Sequence, residues 1–102
     1  MELKKPAAAG TMESSDVMVT MCPNPGGGIQ IELDSDVKAI FGRAIERTAR
    51  DVLEEFGVKD ALVRMVDKGA LDFTIRARVQ CAICRSAEVR YDWAKEDPCD
   101  RI

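Results

Sequence analysis

Two neighbouring hydroxyls are the first groups in this chain whose type and setting could do chemistry. Ser14 and Ser15 stand between Glu13 and Asp16 in the stretch Gly10-Thr11-Met12-Glu13-Ser14-Ser15-Asp16, directly before the first clear apolar alternation. A short, polar, flexible segment is a poor place to build a core and a good place to present a nucleophilic oxygen or to accept a covalent modification. On residue chemistry alone it also reads as an ordinary hairpin turn, as most segments of this composition are.

The other candidates are weaker. The four cysteines are Cys22, Cys81, Cys84 and Cys99. Cys81-Ala82-Ile83-Cys84 is a C-x-x-C pair, but a structural zinc site wants four ligands, usually from two such pairs. Cys22 and Cys99 stand at spacings that match no ribbon or finger. A thioredoxin-like pair opens a helix after a strand, whereas this one falls deep inside an expected helix, where cysteines act as small buried or half-buried side chains. Asp67-Lys68-Gly69-Ala70-Leu71-Asp72 reads as a turn at a strand end, followed by a carboxylate that complements the start of a helix. As an active site it lacks a partner base or a metal cluster. Gly26-Gly27-Gly28 is followed by no Lys-Ser/Thr and helix start, so it is a surface connection rather than a phosphate loop. There is no histidine at all, which removes the commonest general base and metal ligand. An enzyme would have to use carboxylates, lysine or cysteine; a carrier or binding module needs none of these.

The elements that must position these groups are legible in the apolar periodicity. Residues 1–6 read as a frayed start, and Ala7 to Met12 as a short extended segment. Val17-Met18-Val19-Thr20-Met21 is a strand with Val17, Val19 and Met21 on one face. Pro23-Asn24-Pro25-Gly26-Gly27-Gly28 is a loop, and Ile29-Gln30-Ile31-Glu32-Leu33-Asp34 alternates as a half-solvated strand should. These two strands pair most simply as an antiparallel hairpin across the glycine loop. Asp34-Ser35-Asp36 offers helix N-caps. Val37, Ile40, Phe41, Ala44, Ile45, Thr48, Ala49, Val52, Leu53 and Phe56 then form one helical stripe, ended by Gly57. Lys38, Arg43, Glu46, Arg47, Arg50, Glu54 and Glu55 take the solvated face. Ala61-Leu62-Val63-Arg64-Met65-Val66 is a further strand. From Ala70 the pattern is ambiguous: residues 73–79 alternate like a strand, but Leu71, Ile75, Val79, Ala82, Ile83 and Ser86 make a helical stripe rich in helix formers, which favours a helix. The tail from about residue 89 to 102 has no periodicity, with Trp93 as its possible anchor.

This gives an α+β fold, ββαβα with room for an extra N-terminal strand: a small, largely antiparallel sheet with two helices packed on one face. The chain of 102 residues forms a single domain (1–102). Its composition, 46% hydrophobic and 32% charged, is that of a globular protein, and its formal net charge of -3 leaves no electrostatic footprint for nucleic acid. No apolar run approaches the ~20 residues that span a bilayer. Lys4 and Lys5 precede a segment too short and weakly apolar for a signal-peptide core, so the expected location is the cytoplasm, with the cysteines reduced.

Three stretches together carry a family resemblance: Gly10-Thr11-Met12-Glu13-Ser14-Ser15-Asp16-Val17-Met18, Phe41-Gly42 with Ala44-Ile45, and Asp67-Lys68-Gly69-Ala70-Leu71-Asp72 with Arg76-Ala77-Arg78. The chain resembles the citrate lyase acyl carrier proteins from about Met1 to Ser86, while the tail beyond Glu88 departs from the family pattern. The resemblance implies a covalent phosphoribosyl dephospho-coenzyme A arm, derived from 2'-(5''-triphosphoribosyl)-3'-dephospho-CoA, on the serine after the glutamate, which here is Ser14. Ser15 falls where the family often has glycine and adds a competing hydroxyl. The resemblance further implies a non-catalytic subunit whose arm thiol carries acetyl and citryl groups between the alpha and beta catalytic subunits, after loading by a prosthetic-group transferase. Nothing in it implies a metal, nucleic acid or a membrane. The alternatives are the carrier of malonate decarboxylase, a small α+β regulatory or interaction module without a prosthetic group, and, from the cysteines, a metal or redox protein.

Overall fold

The computed structural model describes residues 1–89. Six elements follow in chain order: β1 (Ala7–Ala9), β2 (Val17–Cys22), β3 (Ile29–Ser35), α1 (Lys38–Glu55), β4 (Ala61–Asp67) and α2 (Asp72–Ser86). The expected tail around Trp93 lies outside the described residues. The four strands form one sheet in the order β1-β2-β4-β3. Two of the three pairings are antiparallel, β1 with β2 and β2 with β4; β3 runs parallel to β4.

Period-two alternation decides which face of each strand is covered. Val17, Val19 and Met21 of β2 point the same way as Ala61, Val63, Met65 and Asp67 of β4, and all are buried. Register aligns them in rows, with Val19 opposite Met65 and Met21 opposite Val63. On the other side of β4, Leu33 sits opposite Met65 and Ile31 opposite Val63. Over this face α1 lays Ile45, Ala49, Val52 and Leu53, and α2 lays Ile75, Val79, Ala82 and Ile83. Both helices thus cover one face, as expected. The other face carries alternate polar residues, including the exposed pair Arg64 and Glu32, opposite each other and 3.2 Å apart.

The expected hairpin between β2 and β3 does not form. β4 lies between them, antiparallel to one and parallel to the other. The physical reason is in β4 itself. Ala61-Leu62-Val63-Arg64-Met65-Val66 is apolar at five of its six positions, the pattern of a central strand rather than an edge. The helical crossover through α1 returns the chain parallel to β3 and places β4 there. The proline- and glycine-rich loop then reaches past one strand position instead of making a tight turn. It is fixed to the start of β4, with Gly28 N–H donating to Asp60 Oδ1 at 2.9 Å and Ala61 N–H to the Gly28 carbonyl at 3.0 Å.

Residues 72–86 form a helix, and its core stripe is the expected one except that Leu71 is exposed. Gly57 ends α1 as expected, in the left-handed region at φ +68°, with paired bonds from Gly57 N–H to the Glu54 carbonyl and Val58 N–H to the Leu53 carbonyl. Three details differ from expectation. Ser35 closes β3 instead of capping α1; its hydroxyl donates to Asp67 and accepts from Val37 N–H, and Val37 occupies the cap position. Ile40 and Phe41 are exposed, though they continue the helical stripe, and Phe41 lines a groove with Gly69, Ala70 and Leu71. The first residues are not frayed: Leu3 is only 5% exposed, and the N–H groups of Lys4 and Lys5 donate to the Ser86 carbonyl at the end of α2. No helix of the described residues is long and apolar enough to cross a membrane.

If Leu3 is a core residue, Leu3→Ala should lower the unfolding free energy by about 2–4 kcal/mol, as other buried leucines do. Urea denaturation reads this directly, and a loss below about 0.5 kcal/mol, typical of surface positions, would return the segment to a frayed start.

Candidate functional site

The connection from β1 to β2 carries both serines. It begins at Gly10, where φ is +97° and a Cβ would collide with the Val17 carbonyl, so no other residue fits without displacing backbone. Asp16 N–H donates to the Glu13 carbonyl at 3.2 Å, closing a four-residue turn with Ser14 at its first corner and Ser15 at its second. Ser15 has φ +65°, the left-handed conformation that a second-corner residue takes in a type II turn and that favours glycine. A glycine here would meet the same backbone demand without strain. Glu13, Ser14 and Ser15 are all exposed.

Asp16 is not a solvating charge. Its Oδ1 accepts from Val17 N–H at 2.7 Å and from Arg78 Nε at 3.0 Å, while Oδ2 accepts from Arg78 Nη2 at 3.0 Å and from the Thr11 hydroxyl at 2.7 Å. Thr11 Oγ1 in turn accepts from Glu13 N–H at 3.2 Å. The Arg78 bonds first, and the Thr11 bond next, hold the Asp16 carboxyl down from its ordinary 3.8 to about 2.

The far side of the turn is held by backbone. Ser15 N–H donates to the Lys68 carbonyl at 2.8 Å, and Lys68 N–H donates to the Asp16 carbonyl at 2.9 Å. These bonds continue the β2–β4 ladder past its last pair, Val17 opposite Asp67. Asp67 has a turn-forming role, as expected of its stretch. Buried, it accepts from Ala70 N–H at 3.0 Å and from the Ser35 hydroxyl at 2.9 Å. Asp72 lies in the first turn of α2, where its charge suits the helix start, and sits 2.6 Å from the Thr48 hydroxyl. Between this turn and α1 runs a groove of about 360 Å³, with Phe41, Ala44 and Ile45 on one wall and Gly69, Ala70 and Leu71 on the other.

The role of Arg78 is not visible in the sequence. It is 62 residues from Asp16, and an arginine on a helix flank carries no local sign of its partner. The one usable signal was the Arg76-Ala77-Arg78 spacing. Side chains two apart lie roughly 200° apart around a helix, so the pair must serve two directions. Arg76 reaches Glu55 on α1 with two bonds of 2.8 Å, and Arg78 reaches the serine turn. Cys84 is buried and Cys81 half-buried, the packing role expected of them; burial first, and Cys81 second, push the Cys84 thiol up. Cys99 lies outside the described residues. Among the described residues no cluster of three or more metal-ligating side chains occurs.

The site is thus a pair of exposed serines on a braced turn, at one end of a single four-stranded sheet backed by two helices. A family model described as malonate decarboxylase delta subunit (MdcD), of the ACP type, matches residues 4–86. The citrate lyase acyl carrier protein of Escherichia fergusonii is 56% identical over 88 residues, covering 86% of this chain and 91% of the relative. That of Klebsiella pneumoniae is 51% identical over 96 residues (93% and 99%), and that of Streptococcus mutans 47% over 98 residues (95% and 96%). The chain belongs to the citrate lyase acyl carrier protein family. Its fold is also that of a chain in a crystal structure of a Pseudomonas malonate decarboxylase hetero-tetramer in complex with malonate, with a TM-score of 0.66 at 19% identity, covering 83% of this chain and 91% of the other.

Two predictions follow from the turn. Ser15→Gly should leave the urea midpoint unchanged or raise stability by up to about 1 kcal/mol, because relief of the left-handed strain is partly offset by glycine's larger unfolded-state entropy. Ser15→Val should lower stability by more than about 1 kcal/mol, a β-branched residue being a true outlier at positive φ. The second prediction concerns acid. Since the folded carboxyl of Asp16 titrates lower than the unfolded one, its contribution is fully present above 3.8 and is lost as pH falls through about 2. Arg78 is 41% exposed, so solvent screening limits this contribution to on the order of 1 kcal/mol. Urea titrations of the parent chain and Asp16→Asn should converge by that amount between about pH 5 and pH 2; curves that stay parallel would contradict it.

Proposed function

We propose that this chain is the acyl carrier subunit of a citrate lyase, and that Ser14 is the point at which a phosphoribosyl dephospho-coenzyme A arm is covalently attached. The observation that supports the reading best is a convergence. The serine turn, the Asp67–Asp72 turn and the Arg76-Ala77-Arg78 pair, separate pieces of the family resemblance, meet around the exposed Ser14–Ser15 pair through the Ser15–Lys68 and Asp16–Arg78 bonds. The Phe41–Ile45 segment forms the adjoining groove wall.

The residues present fit such a group. Ser14 is exposed at a turn corner, so a phosphodiester on its oxygen keeps its charge in water and needs no buried counter-ion. When bound, the group supplies a terminal thiol that carries an acyl chain as a thioester. This chain's own part is mechanical. Gly10 sets the approach of the loop, Asp16 and Arg78 fix the turn, and the ladder bonds to Lys68 tie it to the sheet. A tether on a fixed post keeps its end at high effective concentration near any catalytic site within reach. The chain itself is non-catalytic in this reading. Its partners are the alpha and beta catalytic subunits and the transferase that loads it, and it works with them in the cytoplasm. The family model's description favours malonate decarboxylase as the second reading, but identities of 47–56% to citrate lyase carriers favour the first.

Intact-mass analysis of the chain from cells with active attaching enzymes should find one covalent adduct of phosphoribosyl dephospho-coenzyme A, lost in Ser14→Ala and kept in Ser15→Ala. An unmodified chain from such cells would rule out the carrier reading. Co-purification with citrate-cleaving rather than malonate-decarboxylating activity separates the two carrier readings.

A further inference from the structure

The turn offers two exposed primary hydroxyls side by side, with the same intrinsic reactivity, yet a carrier needs its arm at one address. Nothing in the serine side chains distinguishes them. What differs is the backbone frame beneath each. Ser15 is pinned by its N–H to the Lys68 carbonyl at 2.8 Å and held at φ +65°. Ser14 occupies the free corner ahead of it.

That frame converges on one carboxylate. Asp16 receives four hydrogen bonds, two from the Arg78 fork, one from Thr11 and one from its neighbour's N–H. Thr11 relays the constraint to Glu13 N–H at 3.2 Å, on the other side of the serines. Gly10 leaves room for the arm of Arg78, whose Cδ would lie 3.3 Å from a Cβ at that position. Both residues flanking the serine pair are thus fixed through a side chain delivered by α2. A bidentate guanidinium fixes direction as well as distance, which a single ammonium does not.

We propose that the Asp16–Arg78 clamp is the device that selects Ser14 over Ser15 for covalent loading. Arg78 and Asp16 are positioning residues: neither meets the donor, and both act by holding the corner that presents Ser14. The proposal rests on the carrier reading. In the loading step Ser14 Oγ forms a bond to the α-phosphorus of a nucleotide-like 5''-triphosphate donor. The bond from that phosphorus to the bridging oxygen breaks, pyrophosphate leaves with the electron pair, and the hydroxyl proton passes to the transferase or to water. With the clamp released, the strained Ser15 conformation relaxes, the corner is no longer unique, and either oxygen can be presented.

The test loads the full chain with its transferase and the triphosphoribosyl dephospho-CoA donor, then locates the adduct by peptide mass mapping. Arg78→Gln, Asp16→Asn and the milder Thr11→Val are compared with the parent chain. Urea midpoints confirm that each is folded under assay conditions, and Thr11→Val, which removes a single hydroxyl, covers the case where a charge variant does not fold. The parent should carry the adduct on Ser14 only. Folded variants should place about a tenth or more of it on Ser15, a share of the size expected when a minor conformer becomes populated. Arg78→Lys, which keeps the charge and loses the fork, should fall between parent and Arg78→Gln. Adduct confined to Ser14 in the folded variants, at whatever rate, overturns the proposal. A parent chain that accepts no adduct under these conditions is a different result: it overturns the carrier reading on which the clamp depends.

Discussion

Strand β4 sits between two neighbours that make opposite demands, and the rest of the molecule is arranged by how it meets them. Its antiparallel edge pairs with β2 and its parallel edge with β3. A central strand must present apolar side chains on its covered face and tolerate cover from both flanks, and Ala61, Val63 and Met65 do so at essentially no exposure. Burying those rows against Val19, Met21, Leu33 and the inner stripes of both helices supplies the largest favourable contribution to the fold. The same strand also builds the site. Its last inward residue, Asp67, is polar, and the next, Lys68, uses both its backbone groups to carry the ladder onto Asp16 and Ser15. The serine turn is an extension of the sheet at the point where core packing ends.

This changes what kind of object the turn is. Its composition suggests mobility, with a glycine, a threonine and two serines in seven residues. In the fold it is held from two directions, by the β4 backbone and by Arg78 from α2. The ion pair contributes little to global stability, since Arg78 remains partly in water and exposed pairs are worth 0–1 kcal/mol at the median, roughly. Its effect is geometric. One carboxylate collects donors from three parts of the chain, so the conformation at Ser15, unfavourable for an L residue taken alone, is fixed by its surroundings.

Much of the architecture was legible in the sequence, and the limits of that legibility are physical. Val17-Val19-Met21, the Ile45-to-Leu53 stripe and the Ile75-to-Ile83 stripe are local patterns, and local periodicity reports which face is covered. Strand order is not local. The β2–β3 hairpin was the simplest pairing in sequence, and only the near-continuous apolar run of β4 hinted that it belongs in the middle. Ile40 and Phe41 continue the helical stripe without a break yet are exposed, because periodicity marks a face and does not report what covers it. Leu3 is a single apolar residue between charges and a proline, too little for any pattern. At the site, Ser14 and its turn could be picked out from composition and resemblance. The role of Asp16 could not, since an aspartate beside serines looks the same whether it faces water or an arginine 62 residues away.

A carrier must reconcile reach with accuracy, and this chain separates the two. Reach requires rotatable bonds, which lower the chance of finding any one target pose as they multiply. Accuracy requires a fixed origin. If the flexible part were the protein loop, its motion would add to that of the arm and dilute the effective concentration at each catalytic site. Here the loop is closed by a turn bond, a ladder extension and a bidentate ion pair within a few residues of Ser14, which would leave the freedom to an arm attached there under the proposed function. The histidine-free chain and the half-buried or buried cysteines Cys22, Cys81 and Cys84 fit the same division. The protein supplies a braced turn with two exposed serines, and under the proposed function the reactive sulfur would belong to the attached group rather than to the chain.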